Sequence, residues 1–227
     1  IDAAAESAAN AVKFQTFKTE ELVLEKAPKA FYQRENTDSN ESHYDMLKSL
    51  ELSWDTHIDL MNHCARRNIT FLSTPFDNSS LTFLARTLKL KTLKISSGDL
   101  TNGPLLLSAG KSDCDIILST GMSTLDEIEE ALSVITFGLV GALGPLSRRA
   151  FKDAYASNKG QEELKKRVSL LHSTTDYPAP FEETNLLAMQ TMREAFGLKI
   201  GLSDHTSGIA VPVAAAALGA EIIEKHF

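Results

Sequence analysis

Two histidines close two successive strand-like segments near the end of the chain, His205 after residues 199–204 and His226 after residues 221–225. Residues 208–220 between them have the composition of a buried helix. In a parallel strand–helix–strand unit the carboxyl ends of both strands lie at the same sheet edge, so the imidazoles are expected side by side. Two neutral imidazoles next to the carboxylates of Asp204 and Glu224 can hold a divalent transition metal with positions left for substrate. Spacing alone also allows a helix cap and a packed core histidine.

Other polar residues follow the remaining strand-like segments. Lysines inside strands are costly to bury without an anion, which singles out Lys13 and Lys94. An ammonium group with serine and threonine hydroxyls can bind a small phosphate or carboxylate. The residues at these strand ends are Lys13, Gln15, Thr74, Lys94, Ser97, Ser119, Thr175, Ser203 and Lys225. They predict a site for a phosphate-bearing anion and a metal-bound second substrate, with condensation, isomerisation or aldol chemistry all open.

Short β-rich segments alternate with helical periodicity along the chain. The strands are predicted at 11–16, 69–74, 92–97, 115–120, 168–173, 199–203 and 221–226, and helices at 55–68, 79–90, 124–134, 183–196 and 208–218. This alternation predicts an α/β fold, a (β/α)8 TIM barrel forming a single domain over residues 1–227. An open doubly wound sheet is disfavoured because no glycine-rich phosphate loop follows the first strand. Residues 1–10 read as a helix, so we expect strands 2 to 8 here and the first strand to be absent from this chain.

Two stretches interrupt the alternation. Residues 18–51 are too long for an ordinary connection and predict a cover over the active site. Residues 137–166 combine several glycines and a proline with charged helix formers, which we interpret as a surface insertion.

Composition excludes several classes of partner. The chain has 227 residues, 43% hydrophobic content and a net charge of −7, which argues against a nucleic-acid surface. No apolar stretch reaches membrane-spanning length, so no membrane partner is expected. Cys64 and Cys114 lack metal or redox spacing and are interpreted as free thiols of a cytoplasmic protein.

Eight ordered blocks resemble bacterial N-acetylneuraminate (sialic acid) synthases: residues 12–18, 27–33, 71–77, 94–99, 118–122, 176–180, 203–206 and 223–227. The resemblance covers nearly the whole chain except 137–166. It implies a (β/α)8 barrel that condenses phosphoenolpyruvate with an N-acyl amino sugar and acts as a homodimer. The family's barrel is followed by a small antifreeze-like domain, which we expect to be absent from this chain, as is the first strand.

The resemblance also implies residue roles. His205 and His226 match the ligands of a Mn²⁺ or Mg²⁺ ion. The positions that match phosphoenolpyruvate binding are Lys13, Thr74, Lys94, Ser97, Ser119 and Ser203, and those that match the acceptor sugar are Gln15, Asp99 and Tyr177. Asp99 stands where many members have Glu, and Thr175 where some have Asn. Thr175, Asp204, Glu224 and Lys225 are candidates without a settled role.

The reaction implied is condensation of phosphoenolpyruvate with N-acetylmannosamine to give N-acetylneuraminate and phosphate. The alternative within the family is a legionaminic or pseudaminic acid synthase that uses another acyl sugar. A Schiff-base aldolase would instead use Lys94 or Lys13 as the amine and need no metal. The non-enzymatic alternative is a truncated, inactive binding module.

Overall fold

The computed structural model describes residues 1–29 and 42–227, and the chain divides into two units, Ile1–Lys89 and Leu90–Phe227. Both units consist of parallel strands with helices between them, which confirms the predicted α/β class. None of the helices in the described ranges is long and apolar enough to cross a membrane. The remaining residues, 30–41, include part of the predicted active-site cover and of the block 27–33, so these expectations lie outside the described residues.

The first unit is built on one pair of parallel strands. Its elements are α1 (Asp2–Glu6), β1 (Ala11–Thr16), α2 (Thr19–Leu22), α3 (His43–Leu50), α4 (Trp54–Arg66), β2 (Thr70–Pro75) and α5 (Asn78–Thr82), the last continued by a π-helical turn, Phe83–Thr87. Strand β1 pairs with β2 in a register that places Lys13 opposite Leu72 and Gln15 opposite Thr74.

A buried polar chain joins α4 to both strands of the first unit. His57 is fully buried, and its Nδ1 lies 2.8 Å from the Ser53 carbonyl oxygen, which can only accept. In the neutral imidazole, Nε2 therefore accepts from the Thr16 hydroxyl at 2.8 Å. Thr16 in turn accepts from the Ser73 hydroxyl at 2.6 Å. These bonds fix the carboxyl ends of β1 and β2 relative to the helix.

The second unit contains a five-stranded parallel sheet in the order β3-β4-β5-β6-β7. Its elements are β3 (Thr92–Ile95), a 3-10 turn (Ser97–Asp99), α6 (Gly103–Gly110), β4 (Asp115–Ser119), α7 (Leu125–Leu139), α8 (Arg148–Ala156), α9 (Asn158–Arg167), β5 (Val168–Ser173), a 3-10 turn (Phe181–Glu183), α10 (Ala188–Phe196), β6 (Lys199–Asp204), α11 (Ala210–Ala217) and β7 (Ile223–Lys225). Alternate strand residues such as Leu93, Ile95 and Leu118 are completely buried and form the core on one side of the sheet.

Helices α6 and α7 pack with their backbones in close approach. A Cβ on Gly110 would lie 2.3 Å from the Ile135 carbonyl oxygen, and one on Gly138 would lie 2.6 Å from the carbonyl carbon of Gly110. Helix α7 begins with a capping box, in which the Thr124 hydroxyl and the Glu127 carboxylate satisfy each other's backbone N–H groups.

The predicted surface insertion at 137–166 is largely helical. Its first residues, 137–139, belong to α7, and the buried Phe137 packs edge-on against Phe151 of α8. Helices α8 and α9 follow and bury Ala154 and Leu164. The interpretation of this stretch as an insertion stays a prediction.

The strand predictions at 11–16 and 168–173 are confirmed to the residue, and the others shift at their ends. The third predicted strand, 92–97, ends at Ile95 because Ser96 caps the following 3-10 turn. The last predicted strand shortens to Ile223–Lys225. The closed eight-stranded barrel and the missing first strand stay predictions, because the described strands form two separate sheets.

Candidate active site

A contact between opposite edges of the five-stranded sheet shows that the sheet is strongly curved. Lys94 lies on β3 and Glu224 on β7, yet Lys94 Nζ is 2.9 Å from Glu224 Oε1. In a flat sheet four strand spacings would separate these strands by roughly 19 Å, more than the two side chains can span. The two residues therefore lie on the concave face of the sheet.

Glu224 joins two residues that were predicted to bind phosphoenolpyruvate. Its Oε1 accepts from Lys94 Nζ and, at 2.6 Å, from the Ser203 hydroxyl. Lys94 is only 4% exposed, so its charge needs a nearby anion to offset its desolvation. The structure thus brings Lys94 and Ser203 together. The Glu224 carboxylate accepts from both of them, and we expect an anionic ligand to bind to the same two donors.

Ser119 carries an unsatisfied hydroxyl at the end of β4. The side chain is buried, and its Oγ has no hydrogen-bond partner within the described residues. A buried hydroxyl without a partner costs about 1–3 kcal/mol, which indicates a position that a ligand or water satisfies. Ser119 is therefore well suited to the ligand-binding role that was predicted for it.

Gly121 allows the loops after β3, β4 and β5 to converge. A Cβ built there would lie 2.6 Å from Thr175 Cγ2 and 3.3 Å from Ser97 Oγ. Thr175 and Ser97 are thus both close to the carboxyl end of β4. Asp99, in the same turn as Ser97, accepts from the Asn102 side-chain amide at 3.2 Å.

The two histidines lie side by side, as predicted, with ring centroids 5.2 Å apart. His205 Nδ1 donates to the Thr174 carbonyl oxygen, which leaves the Nε2 lone pair of the neutral ring to bind a metal or a ligand. Tyr177 lies against both rings, at centroid distances of 4.3 Å to His205 and 5.8 Å to His226. A cavity of about 390 Å³ is lined by Tyr177, Pro178, Asp204, His205, Thr206, Gly208, Lys225 and His226.

Asp204 and Glu224, the carboxylates next to the two histidines in sequence, are each bonded to a lysine in the structure, and their part in a metal site stays a prediction. Asp204 is bonded to Lys225 and to the Thr206 backbone N–H and hydroxyl, while Glu224 is bonded to Lys94 and Ser203. Burial raises the pKa of Asp204, but its bonds with Lys225 and Thr206 outweigh this and hold it below the usual value. Across residues 1–29 and 42–227, no group of three or more His, Cys, Asp or Glu side chains could hold a metal.

The remaining predicted residues lie in the first unit. Lys13, Gln15 and Thr74 belong to paired strands and share one face of that sheet, because the register places Gln15 opposite Thr74. Thr74 is buried, and its Oγ1 has no hydrogen-bond partner in the part of the chain that the structure describes. Like Ser119, it offers a hydroxyl that a ligand can satisfy.

Sequence reasoning missed the pairing of Glu224 with Lys94 and Ser203. Strand alternation was an available signal, because Glu224 and its neighbour Lys225 must point to opposite faces. The sequence could not show the curvature that brings β3 and β7 together.

The structure is that of an α/β protein with a cluster of polar side chains at the carboxyl ends of its parallel strands. More narrowly, the chain belongs to the NeuB family, whose profile matches residues 1–227. It is 46% identical over 227 residues to an N,N'-diacetyllegionaminic acid synthase of Campylobacter jejuni, covering 100% of this chain and 61% of that protein. A Legionella pneumophila protein of the same name is 41% identical, with 100% and 58% covered.

A solved relative has the same fold. The N-acetylneuraminic acid (sialic acid) synthetase of Leptospira borgpetersenii, crystallised with citrate, superposes with a TM-score of 0.75 at 32% identity. The match covers 100% of this chain and 65% of that one. The chain thus spans about three fifths of the curated relatives reported above.

Proposed function

We propose that the protein condenses phosphoenolpyruvate with an amino hexose that carries two N-acetyl groups, giving a diacetyllegionaminic-type acid and phosphate. The two relatives at 46% and 41% identity are named as N,N'-diacetyllegionaminic acid synthases. Phosphoenolpyruvate contains no nitrogen, so both acetamido groups of such a product must come from the acceptor. The relatives therefore favour the di-N-acetylated hexose over N-acetylmannosamine as the acceptor sugar.

The observation that carries the proposal is the buried Lys94, held by Glu224 beside Ser203 on the concave face. An ammonium with several donors can bind the carboxylate or phosphate of phosphoenolpyruvate. Ser119 Oγ is a further hydroxyl for that anion. Ser97 keeps its predicted role in the same substrate, and the assignments of Lys13, Gln15 and Thr74 stay predictions.

His205 and His226 fit a divalent metal, because the Thr174 carbonyl fixes the tautomer of His205 and the rings are adjacent. When bound, Mn²⁺ or Mg²⁺ would supply Lewis-acid activation of the sugar aldehyde. Tyr177 and Asp99 are assigned to the acceptor sugar, Tyr177 because its ring lies against both histidines.

In the proposed reaction, C3 of phosphoenolpyruvate attacks the aldehyde carbon and water adds to C2. The tetrahedral carbon then releases phosphate with cleavage of its carbon–oxygen bond. Lys94 and Ser203 hold the anion close to the aldehyde and stabilise the charge that develops on the departing phosphate. Glu224, at the centre of these donors, is the carboxylate that we assign to take the proton from the attacking water.

The test is to incubate the protein with Mn²⁺, phosphoenolpyruvate labelled with ¹⁸O in the bridging oxygen, and one of two acceptors. The di-N-acetylated hexose should release phosphate faster than N-acetylmannosamine, with the label in the phosphate. Faster phosphate release with N-acetylmannosamine would instead favour the hypothesis of an N-acetylneuraminate synthase. Borohydride trapping of a pyruvate adduct on Lys94 or Lys13 would instead favour the aldolase, and no turnover with either acceptor would favour a binding module.

We also propose that the protein is a cytoplasmic homodimer. Cys64 and Cys114 are both free and buried, which suits a reducing compartment. The dimer rests on the family resemblance. Light scattering on a size-exclusion column should give twice the protomer mass, and a monomer mass at micromolar concentration would overturn the dimer.

A further inference from the structure

Two successive cross-strand pairs lie at the carboxyl ends of β6 and β7. Ser203 pairs in register with Glu224, and Asp204 with Lys225. The first pair is joined by a 2.6 Å hydrogen bond and the second by an ion pair. His205 and His226 come next on each strand, immediately after strand pairing has ended. The Asp204–Lys225 ion pair is thus the last side-chain tie of the ladder before the two imidazoles.

This ion pair holds the backbone on both sides of His205. The Asp204 side chain is 1% exposed, and its Oδ1 accepts from the Thr206 N–H at 3.1 Å and from the Thr206 hydroxyl at 2.8 Å. Lys225 Nζ donates to Asp204 Oδ2 and, at 2.7 Å, to the Thr206 carbonyl oxygen. Lys225 therefore contacts the residue before His205 and the residue after it, and it directly precedes His226.

We propose that the Asp204–Lys225 ion pair is a positioning clasp that sets the separation of His205 and His226 for binding a divalent metal. The inference rests on the metal role in the proposed function. Strand β7 has only three residues and, among the described strands, pairs with β6 alone, and the clasp joins these two strands at the residues that directly precede the histidines. Neither residue of the clasp coordinates the ion. Partners that hold metal ligands in place contribute about 10–100-fold to metal affinity.

Mn²⁺ titration of the protein, followed by electron paramagnetic resonance of the free ion, separates positioning from simple charge effects. Through space, Asp204→Asn removes a negative charge and would weaken Mn²⁺ binding, whereas Lys225→Met removes a positive charge and would tighten it. A clasp predicts that both substitutions weaken binding, each by about tenfold or more. Unchanged or tighter Mn²⁺ binding by Lys225→Met would overturn the proposal.

The double variant separates positioning from stability. Each single variant leaves a charge without its partner, whereas Asp204→Asn with Lys225→Met removes both charges and should recover stability in urea unfolding. Its Mn²⁺ affinity should stay weak, because the tie between the strands is still missing. Recovery of affinity together with stability would contradict the clasp.

Two further variants serve as controls in the Mn²⁺ titration. Arg149→Met breaks an exposed ion pair with Asp153 on α8 and should leave Mn²⁺ affinity unchanged. An equal loss there would overturn the proposal. His205→Ala should abolish binding. If the unaltered protein binds no Mn²⁺, the metal role in the proposed function is wrong and the clasp fails with it. If it binds Mn²⁺ and the clasp variants bind equally well, only the clasp is wrong.

Discussion

Replacing Glu51 by glutamine should destabilise the protein strongly at neutral pH and less than half as much at pH 3. The Glu51 carboxylate accepts from Lys18 Nζ at 2.9 Å and from Lys48 Nζ at 3.1 Å. It also accepts from the Thr19 N–H at 3.0 Å and from the Thr19 hydroxyl at 2.9 Å. One carboxylate therefore ties together residues from both ends of the long connection after β1. Glutamine keeps the shape of the side chain but loses its charge.

The magnitude follows from the pKa of Glu51. Burial raises this pKa, but the Thr19 N–H, the two lysines and the Thr19 hydroxyl outweigh it and lower it from 4.5 to about 2. The Glu51 side chain is only 10% exposed, so screening by solvent is small. A decrease of that size corresponds to about 3 kcal/mol of unfolding free energy at pH 7. Because the folded pKa is depressed, this stability is complete above pH 4.5 and is lost as the pH falls towards 2.

Urea unfolding of the wild type and Glu51→Gln across pH 7 to pH 3 measures this directly. The difference in unfolding free energy should shrink from about 3 kcal/mol at pH 7 to less than half of that at pH 3. Glu20→Gln is the matched control, because Glu20 binds the same Lys48 from a mostly exposed position and should matter little. A difference that does not change with pH, or an equal effect in the control, would refute the reasoning.

Further predictions concern the site and the packing. Lys94→Met should raise the KM for phosphoenolpyruvate at least 100-fold in the phosphate-release assay, and an unchanged KM would remove it from the anion site. Ser119→Ala should raise that KM about tenfold without lowering the urea midpoint, because its hydroxyl has no partner within the described chain; a loss of stability without a change in KM would indicate a structural role. His205→Ala should abolish phosphate release while circular dichroism stays unchanged, and substantial turnover would remove it as a ligand. Gly110→Ala should cost about 1–3 kcal/mol in urea unfolding through overpacking, whereas Gly103→Ala, with open space at its Cβ, should not; equal effects would contradict the close approach.

The sequence was most informative where local patterns determine structure. The strands at 11–16 and 168–173 are bounded by helix or turn signals and were predicted to the residue. The adjacency of His205 and His226 followed from the geometry of parallel strands alone, because it needs only a helix between two strands. The helix Gly103–Gly110 was missed, because its residues are mostly apolar, with glycine at both ends, and give no amphipathic period.

The contacts that were not predicted depend on sheet curvature and long-range packing. Asp204 and Glu224 are carboxylates near histidines in sequence, and only the three-dimensional arrangement shows that each is bonded to a lysine. The π-helical turn Phe83–Thr87 was likewise predicted as ordinary helix, since its residues carry no local signal for a wider turn. Tertiary packing determines the partners of Asp204 and Glu224 and the wider turn at Phe83–Thr87.

The Lys94–Glu224 contact also bears on how the site forms and fails. These residues are 130 positions apart in the chain, so the contact requires closure of a very long loop, which is slow and costly in entropy. We therefore expect anion binding to be among the last properties acquired during folding. Conversely, local opening of the short edge strand β7 would separate Glu224 from Lys94 while the other four strands stay paired. Substrate affinity would then be lost by partial unfolding, at temperatures below the global melting transition.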